Sequence, residues 1–304
     1  MSNQAKGLLF ASITALFWGF LAIAVKIATQ YVPVVNIVWF RFAFAFSVLF
    51  VWFLKADRQK LKILLNPPLL LLIAALALAF NYYGFTKGVH HTDPNTAQVV
   101  IQFGPILLGM IGFLFFKEKI TLFQSSGFVV ALLGLSLFYY HQVSQILETE
   151  KDVFNLGFFW VAAAAIAWLT YAALQKLLVK SYDSQQLNLV IFGLPALLYL
   201  PFVSLAGFSD LSINLWLLLV FLGANTIIAY GCLSLAFKYT DVNKVSVIIT
   251  LNPIITFVIM SILYQMQVDW IETQKMNTFT WMGALLVILG AFMVVFFKKP
   301  LKKI

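Results

Sequence analysis

The segment Thr92-Asp93-Pro94-Asn95, with Pro105 after it, returns later in the chain as Thr240-Asp241-Val242-Asn243 with Pro253 after it, and both correspondences are offset by 148 residues. Upstream, Ala15-Leu16-Phe17-Trp18 returns as Ala165-Ile166-Ala167-Trp168 and Lys26 returns as Lys176, offset by 150. Downstream, Gly127 and Gly134 return as Gly283 and Gly290, offset by 156. Alanine and tryptophan are common here, so no single match carries weight. Their shared order and near-constant spacing do, and they mark an internal repeat. The step from 148 to 156 predicts an eight-residue insertion in the loop at 265–277.

The chain around these matches is too apolar for a soluble protein. Of its 304 residues 62% are apolar and 10% charged, with a mean hydropathy of +0.95, whereas soluble domains hold roughly 45–50% and about 25%. Apolar runs fall at 7–28, 35–54, 68–87, 96–116 and 121–140, then at 156–178, 186–206, 213–236, 245–264 and 278–297. A hydrocarbon core about 30 Å thick takes about 20 helical residues to cross. Strands are excluded, because open sheet edges do not survive in lipid and barrel strands are about half as long. The expected fold is an all-α integral membrane protein of ten transmembrane helices, arranged as five-helix repeats at 7–140 and 155–297. An odd number of spans turns the second repeat upside down relative to the first. Inverted repeats are the architecture of secondary transporters; structural duplication without transport is the competing reading. The first run exceeds the h-region of a cleavable signal and no small-residue cleavage site follows it, so it is read as a permanent helix.

Charge sets the expected orientation. With both termini cytoplasmic, that side takes 15 of the 20 basic residues; the outer side takes Lys26, Lys87, Lys151 and Lys275, and Arg41 lies inside the second run. This is a positive-inside bias in a cell inner membrane. It also accounts for the net charge of +9, since the lysines at 55–62 and 298–303 are expected to lie against anionic lipid headgroups. Membrane lipid is therefore the expected surface partner, and nucleic acid is not. A monomer and a homodimer are both compatible with the sequence.

Metal, cofactor and thiol chemistry find no support. Cys232 is the only cysteine, and His90, His91 and His141 lack metal-ligand spacing. An intramembrane enzyme would need a nucleophile and base, or metal ligands, facing each other at depth. All eleven acidic residues fall in loops or at run ends. A buried carboxylate proton relay is thus not visible, which favours a passive carrier or exchanger; Glu118, Asp93, Asp241 and the pair His90-His91 remain as interfacial titrating groups.

Polar groups inside spans are costly and mark candidate sites. Gln98 and Gln102 are spaced i, i+4, and Pro105 continues the stripe at i+7; the second repeat has Ser246, Thr250 and Pro253 there. Each proline removes an N–H and frees a carbonyl four residues earlier, at Ile101 and Ile249. A binding stripe and helix–helix glue are the two readings of this pattern. A second set, Trp18, Asn81, Tyr82, Trp168, Tyr171, Asn225, Tyr230 and Asn252, could form aromatic walls with amide rims that hold an amino acid or a flat metabolite. Core packing competes with that reading in a chain holding 31 phenylalanines. Arg41, about one turn inside its run, could grip a carboxylate or phosphate in bidentate fashion. Lys26, Lys87 and Lys176 lie near run ends and are read as snorkelling to the interface. The spaced glycines are expected to permit close helix approach rather than to bind anything.

Two five-run halves with Trp18-Gly19 and Trp168 in their first runs, Trp39-Phe40-Arg41-Phe42 entering the second, Pro105 and Pro253 in the fourth, and Phe116-Lys117-Glu118-Lys119 closing the fourth resemble the EamA branch of the drug/metabolite transporter superfamily. The resemblance implies a ten-helix bundle with cytoplasmic termini, a central cavity lined by both halves, and metabolite efflux or uptake. The second half departs from the pattern, with Ile191 where Arg41 would recur and Gln265-Met266-Gln267 in place of the acidic turn. The expected function is a secondary transporter that moves a small organic metabolite by alternating access. An amino-acid-like, anionic or zwitterionic solute is favoured, and export is the expected direction. A lipid or channel-like conduit is the second reading and an intramembrane enzyme the third.

Overall fold

The computed structural model describes residues 2–118, 121–148, 152–271, 273 and 277–296. Among these residues every regular element is helical. The first half supplies α1 (Asn3–Ala28), α2 (Val34–Ala56), α3 (Leu69–His91), α4 (Pro94–Ile101), α5 (Phe103–Leu114) and α6 (Leu122–Glu148). The second supplies α7 (Asp152–Leu178), α8 (Ser184–Tyr199), α9 (Ile213–Tyr239), α10 (Val242–Ile249), α11 (Asn252–Gln265) and α12 (Thr278–Phe296). Eight helical stretches are long and apolar enough to cross a membrane, counting α4 with α5 and α10 with α11 as one each. The stretches Leu122–Phe138 and Thr278–Val294, within α6 and α12, are also apolar but shorter.

The fourth and ninth runs, expected as single helices, are each two. Pro105 and Pro253 fall in the first turns of α5 and α11, where a missing N–H breaks no helical bond. The chain therefore interrupts the helix at Gln102 and at Thr250-Leu251 rather than kinking it. After α5 and α11 the backbone turns left-handed at equivalent places, Lys117 with φ 51° and Gln267 with φ 52°. The seventh run ends at Tyr199, short of 206; Pro201 follows, and the chain continues in short 3₁₀ turns at Leu200–Phe202 and Leu205–Phe208. The fifth run continues past 140 to Glu148.

Helices pair across the two halves: α6 lies along α12, α3 along α7, α1 along α9 and α2 along α8. Exchanging every helix for its repeat counterpart returns the same set of pairs. The α6–α12 pair is the tightest, because glycines let the two backbones touch. A Cβ on Gly134 would stand 2.6 Å from Val287 N, and one on Gly290 2.5 Å from Ala131 N. Close approach at small residues is how helices associate where lipid removes the hydrophobic drive. Lys119, Lys151, Lys275, Lys298, Lys299, Lys302 and Lys303, used above for orientation, lie outside the described residues, as does part of the predicted insertion.

Candidate functional site: a central cavity between the repeats

A cavity of about 50 Å³ lies where α1, α2, α3, α4, α5, α7, α9 and α11 converge. Aromatic rings from both repeats wall it. Trp18 and Trp168 meet edge to face with centroids 5.8 Å apart, Trp18 lies 5.3 Å from Tyr230, and Tyr82 lies 5.5 Å from Tyr230. These are the tryptophan and tyrosine pairs that the repeat relates.

Arg41 supplies the charge. It sits about two turns inside α2 rather than one, seven residues past Val34; at 1.5 Å per residue that is about 10 Å along the axis. The side chain is 1% exposed. Its Nε donates to Thr226 Oγ1 at 3.2 Å, and its Cζ stands 4.1 Å from the centroid of the Tyr82 ring. Among the described residues the ion pairs are Lys60 with Asp183 and Lys244 with Asp241, so no carboxylate pairs with Arg41.

The polar rim mixes structural and open groups. Asn81 Nδ2 donates to the Ala164 carbonyl at 2.9 Å, and Gln98 Nε2 to the Trp18 carbonyl at 3.1 Å, so each ties two helices together while lining the cavity. Gln102 Nε2 donates to Asn252 Oδ1 at 2.8 Å. Gln102 Oε1 and the indole N–H groups of Trp18 and Trp168 are buried without hydrogen-bond partners. Such a group typically costs about 1–3 kcal/mol and is uncommon in folded interiors.

Nine of the twelve expected residues line this cavity: Trp18, Arg41, Asn81, Tyr82, Gln98, Gln102, Trp168, Tyr230 and Asn252. Three do not. Tyr171 is fully buried behind Tyr230, with ring centroids 5.6 Å apart. Asn225 is also buried, and its Nδ2 donates to the Phe17 carbonyl at 2.6 Å, which joins α9 to α1. Thr250 bonds the Val247 carbonyl at 2.7 Å and faces a separate apolar recess of about 220 Å³ between α5, α6 and α10. Ser246 faces that recess too, with its hydroxyl donating to the Pro105 carbonyl. The polar stripe thus faces the cavity in the first repeat and turns toward α5 in the second.

Sequence reasoning missed Thr226, the partner of Arg41. A mid-span threonine gives no clear signal, since its hydroxyl can satisfy itself on its own helix, as Thr226 also does on the Leu222 carbonyl at 3.0 Å. Leu21, Phe85, Ile101 and Pro105 complete the lining. The second-half counterpart of Arg41, Ile191, is fully buried.

The lysines read as snorkelling are instead tethered. Lys26 Nζ donates to the carbonyls of Val89 and His90, each at 3.3 Å, and of Thr92, at the end of α3. Lys176, its repeat partner, donates to the carbonyls of Phe237 at 2.9 Å and Thr240 at 2.7 Å, at the end of α9. Unpaired carbonyls at a helix C-terminus attract a cation more strongly than a distant interface does. Lys87 stands 4.6 Å from the Trp160 ring. Beyond the end of α5, burial pushes the Glu118 carboxyl above the usual carboxylate range, opposed by the Asn243 and Val242 N–H groups that it accepts.

A membrane-embedded helical repeat protein with a polar, aromatic-walled cavity between its halves has the layout of a transporter. The chain belongs to the EamA-like transporter family, whose family model matches residues 5–140 and 155–296. It is 29% identical to an uncharacterized transporter of Haemophilus influenzae over 286 residues, covering 94% of this chain and 93% of that one. It is 28% identical to the uncharacterized inner membrane transporter YhbE of Escherichia coli K12 over 295 residues, covering 96% of this chain and 92% of YhbE. A solved crystal structure shares the fold with a TM-score of 0.73 at 18% identity, covering 96% of this chain and 97% of the other.

Proposed function

We propose that this protein is an inner-membrane secondary transporter that carries a small anionic or zwitterionic metabolite, amino-acid-like in size and charge, by alternating access in the export direction. In this reading α6 and α12 complete a set of ten spans, the two halves are inverted repeats, and both termini face the cytoplasm. The positive-inside bias supports that orientation, and the inner-membrane relative supports the location.

The observation that carries the proposal is Arg41: a buried cation in a cavity between the repeats, with no carboxylate partner among the described residues. A charge at that depth costs about 2.5–3.5 kcal/mol on insertion scales, so its place is best explained by a ligand that brings the opposite charge. The carboxylate of the solute would take the free guanidinium N–H groups. Gln102 Oε1 would accept from an ammonium or hydroxyl, and the two indole N–H groups would donate to remaining oxygens. At about 50 Å³ the cavity is far below the 300–1,000 Å³ of pockets for drug-sized ligands. Solute entry therefore belongs to a wider state of the cycle.

Counterflow in proteoliposomes tests this. Vesicles preloaded with a panel of amino and hydroxy acids should accumulate labelled solute from the panel, and a cationic panel should not drive uptake. Uptake driven only by cations would refute the substrate class; ion currents without saturable counterflow would replace the carrier by a conduit.

A further inference from the structure

Two helix N-termini, those of α4 and α10, occupy equivalent places in the repeats but are held differently. At α4 the cap is local: Asp93 Oδ1 accepts from Asn95 N at 2.9 Å and Thr96 N at 3.0 Å. Pro94 holds the first position and has no N–H to offer. At α10 the equivalent aspartate, Asp241, makes no cap bond and pairs with Lys244 at 2.9 Å. The cap comes from the other repeat instead. Glu118 Oε1 accepts from Val242 N at 2.7 Å and Oε2 from Asn243 N at 3.0 Å, a two-pronged bond from a carboxylate to the positive end of a helix.

Among the described residues the other end of the seam has no such bridge. Counting on from the matched left-handed residues Lys117 and Gln267, the position of Glu118 is taken by Val268, which packs in an apolar cluster with Ile23, Met260 and Ile271. Packing follows the same asymmetry, with α5 packed more extensively against α10 than α11 against α4. Lys26 and Lys176 make matching tethers at both ends, so they do not create the difference.

The geometry points to Glu118 as the latch that closes the seam between the repeats at the Asp241 end, making this the state of the cycle shut at that end. Glu118 is a positioning residue: it touches no cavity-lining atom and acts by fixing α10. The inference rests on the transporter reading, but its test needs neither solute nor gradient, so it can fail while counterflow succeeds and the reverse.

The test uses the full chain with its only cysteine removed by Cys232→Ala, and single cysteines placed at the equivalent buried positions Val245 on α10 and Ala97 on α4. A membrane-impermeant maleimide is applied to vesicles of both orientations. Glu118→Ala removes both bonds. Val242→Pro removes one of them while keeping a residue suited to the first turn, as Pro94 shows in the other repeat. Either change should raise labelling at position 245 by roughly tenfold, the scale of a lost charge-assisted helix cap, and leave position 97 unchanged or slower. The double variant should label at the rate of Glu118→Ala alone, because both changes act through one contact. If Glu118→Ala does not fold, Val242→Pro decides by the same contrast between the two positions. No rise at 245, an equal rise at both positions, or fully additive effects in the double variant would each overturn the latch.

Discussion

Replacing Arg41 by methionine should separate the architecture of the site from its chemistry. Three contributions change together. Relief of a charge at membrane depth favours the variant by about 2.5–3.5 kcal/mol. Loss of the desolvated contact between the guanidinium and Tyr82, at 4.1 Å, disfavours it by about 2 kcal/mol. Loss of the bond to Thr226, at 3.2 Å, disfavours it by roughly 1.5–3 kcal/mol. Together they come to between about zero and about 2.5 kcal/mol against the variant, and methionine fills the vacated volume with an adaptable chain. The melting temperature in detergent should therefore fall by no more than about 10 °C, at roughly 2–4 °C per kcal/mol for chains approaching this size. Binding behaves differently. A carboxylate deprived of its charged donor loses about 1.5–3 kcal/mol, so initial counterflow should fall roughly ten- to hundredfold. Scanning fluorimetry gives the first number and proteoliposomes the second. A melting temperature lowered by more than about 12 °C, with transport falling only in step with the folded fraction, would make Arg41 a structural residue and remove the argument for an anionic solute.

Lys26→Met and Lys176→Met should each lower the melting temperature, because each strands two or three carbonyls at a partly buried helix end, at up to about 1–3 kcal/mol; equal stability of either variant and the parent would show that water replaces the tether. Gly134→Leu should force α6 from α12, since its Cβ would meet Val287 N at 2.6 Å, and should cut the yield of monodisperse protein on gel filtration. The Glu118 carboxyl, raised above its ordinary value by burial, gives a stability contribution that is complete below the unfolded-state value and fades as pH rises through the folded one. The melting temperature of the parent relative to Glu118→Gln should accordingly be highest in acid and decline toward neutrality; an opposite slope would mean that the amide N–H groups outweigh burial.

The bundle was legible because its signals are redundant. Apolar length, two prolines, two tryptophans and four glycines repeat in one order, and lipid permits few architectures for such a pattern. The aromatic wall was legible for a related reason: Trp18 and Tyr82 recur as Trp168 and Tyr230, and residues placed by symmetry near a pseudo-axis tend to meet. What failed was rotation about a helix axis. Thr250 and Ser246 share the spacing of Gln102 and Gln98, yet α10 turns them toward α5 while α4 turns its glutamines inward. Spacing says which residues share a face, not which neighbour that face meets. The lysines failed for a different reason: their acceptors are carbonyls freed by helix ends about 60 residues away, which no local pattern announces. Glu118 was visible as an acid near a run end and in the acidic turn of the family pattern, but not as a helix cap, since its partners on α10 lie in the other repeat.

The interruptions at Gln102 and at Thr250-Leu251 carry a mechanical consequence. A continuous helix bends only by stretching bonds along its ladder, but here the ladder is already open near the middle of each stretch, just before its proline. Either short segment can therefore swing with respect to its longer continuation while the backbone bonds on both sides stay intact. The resistance to such a swing comes from side-chain packing and from tethers such as the Glu118 bonds to α10, and a single substitution can tune either.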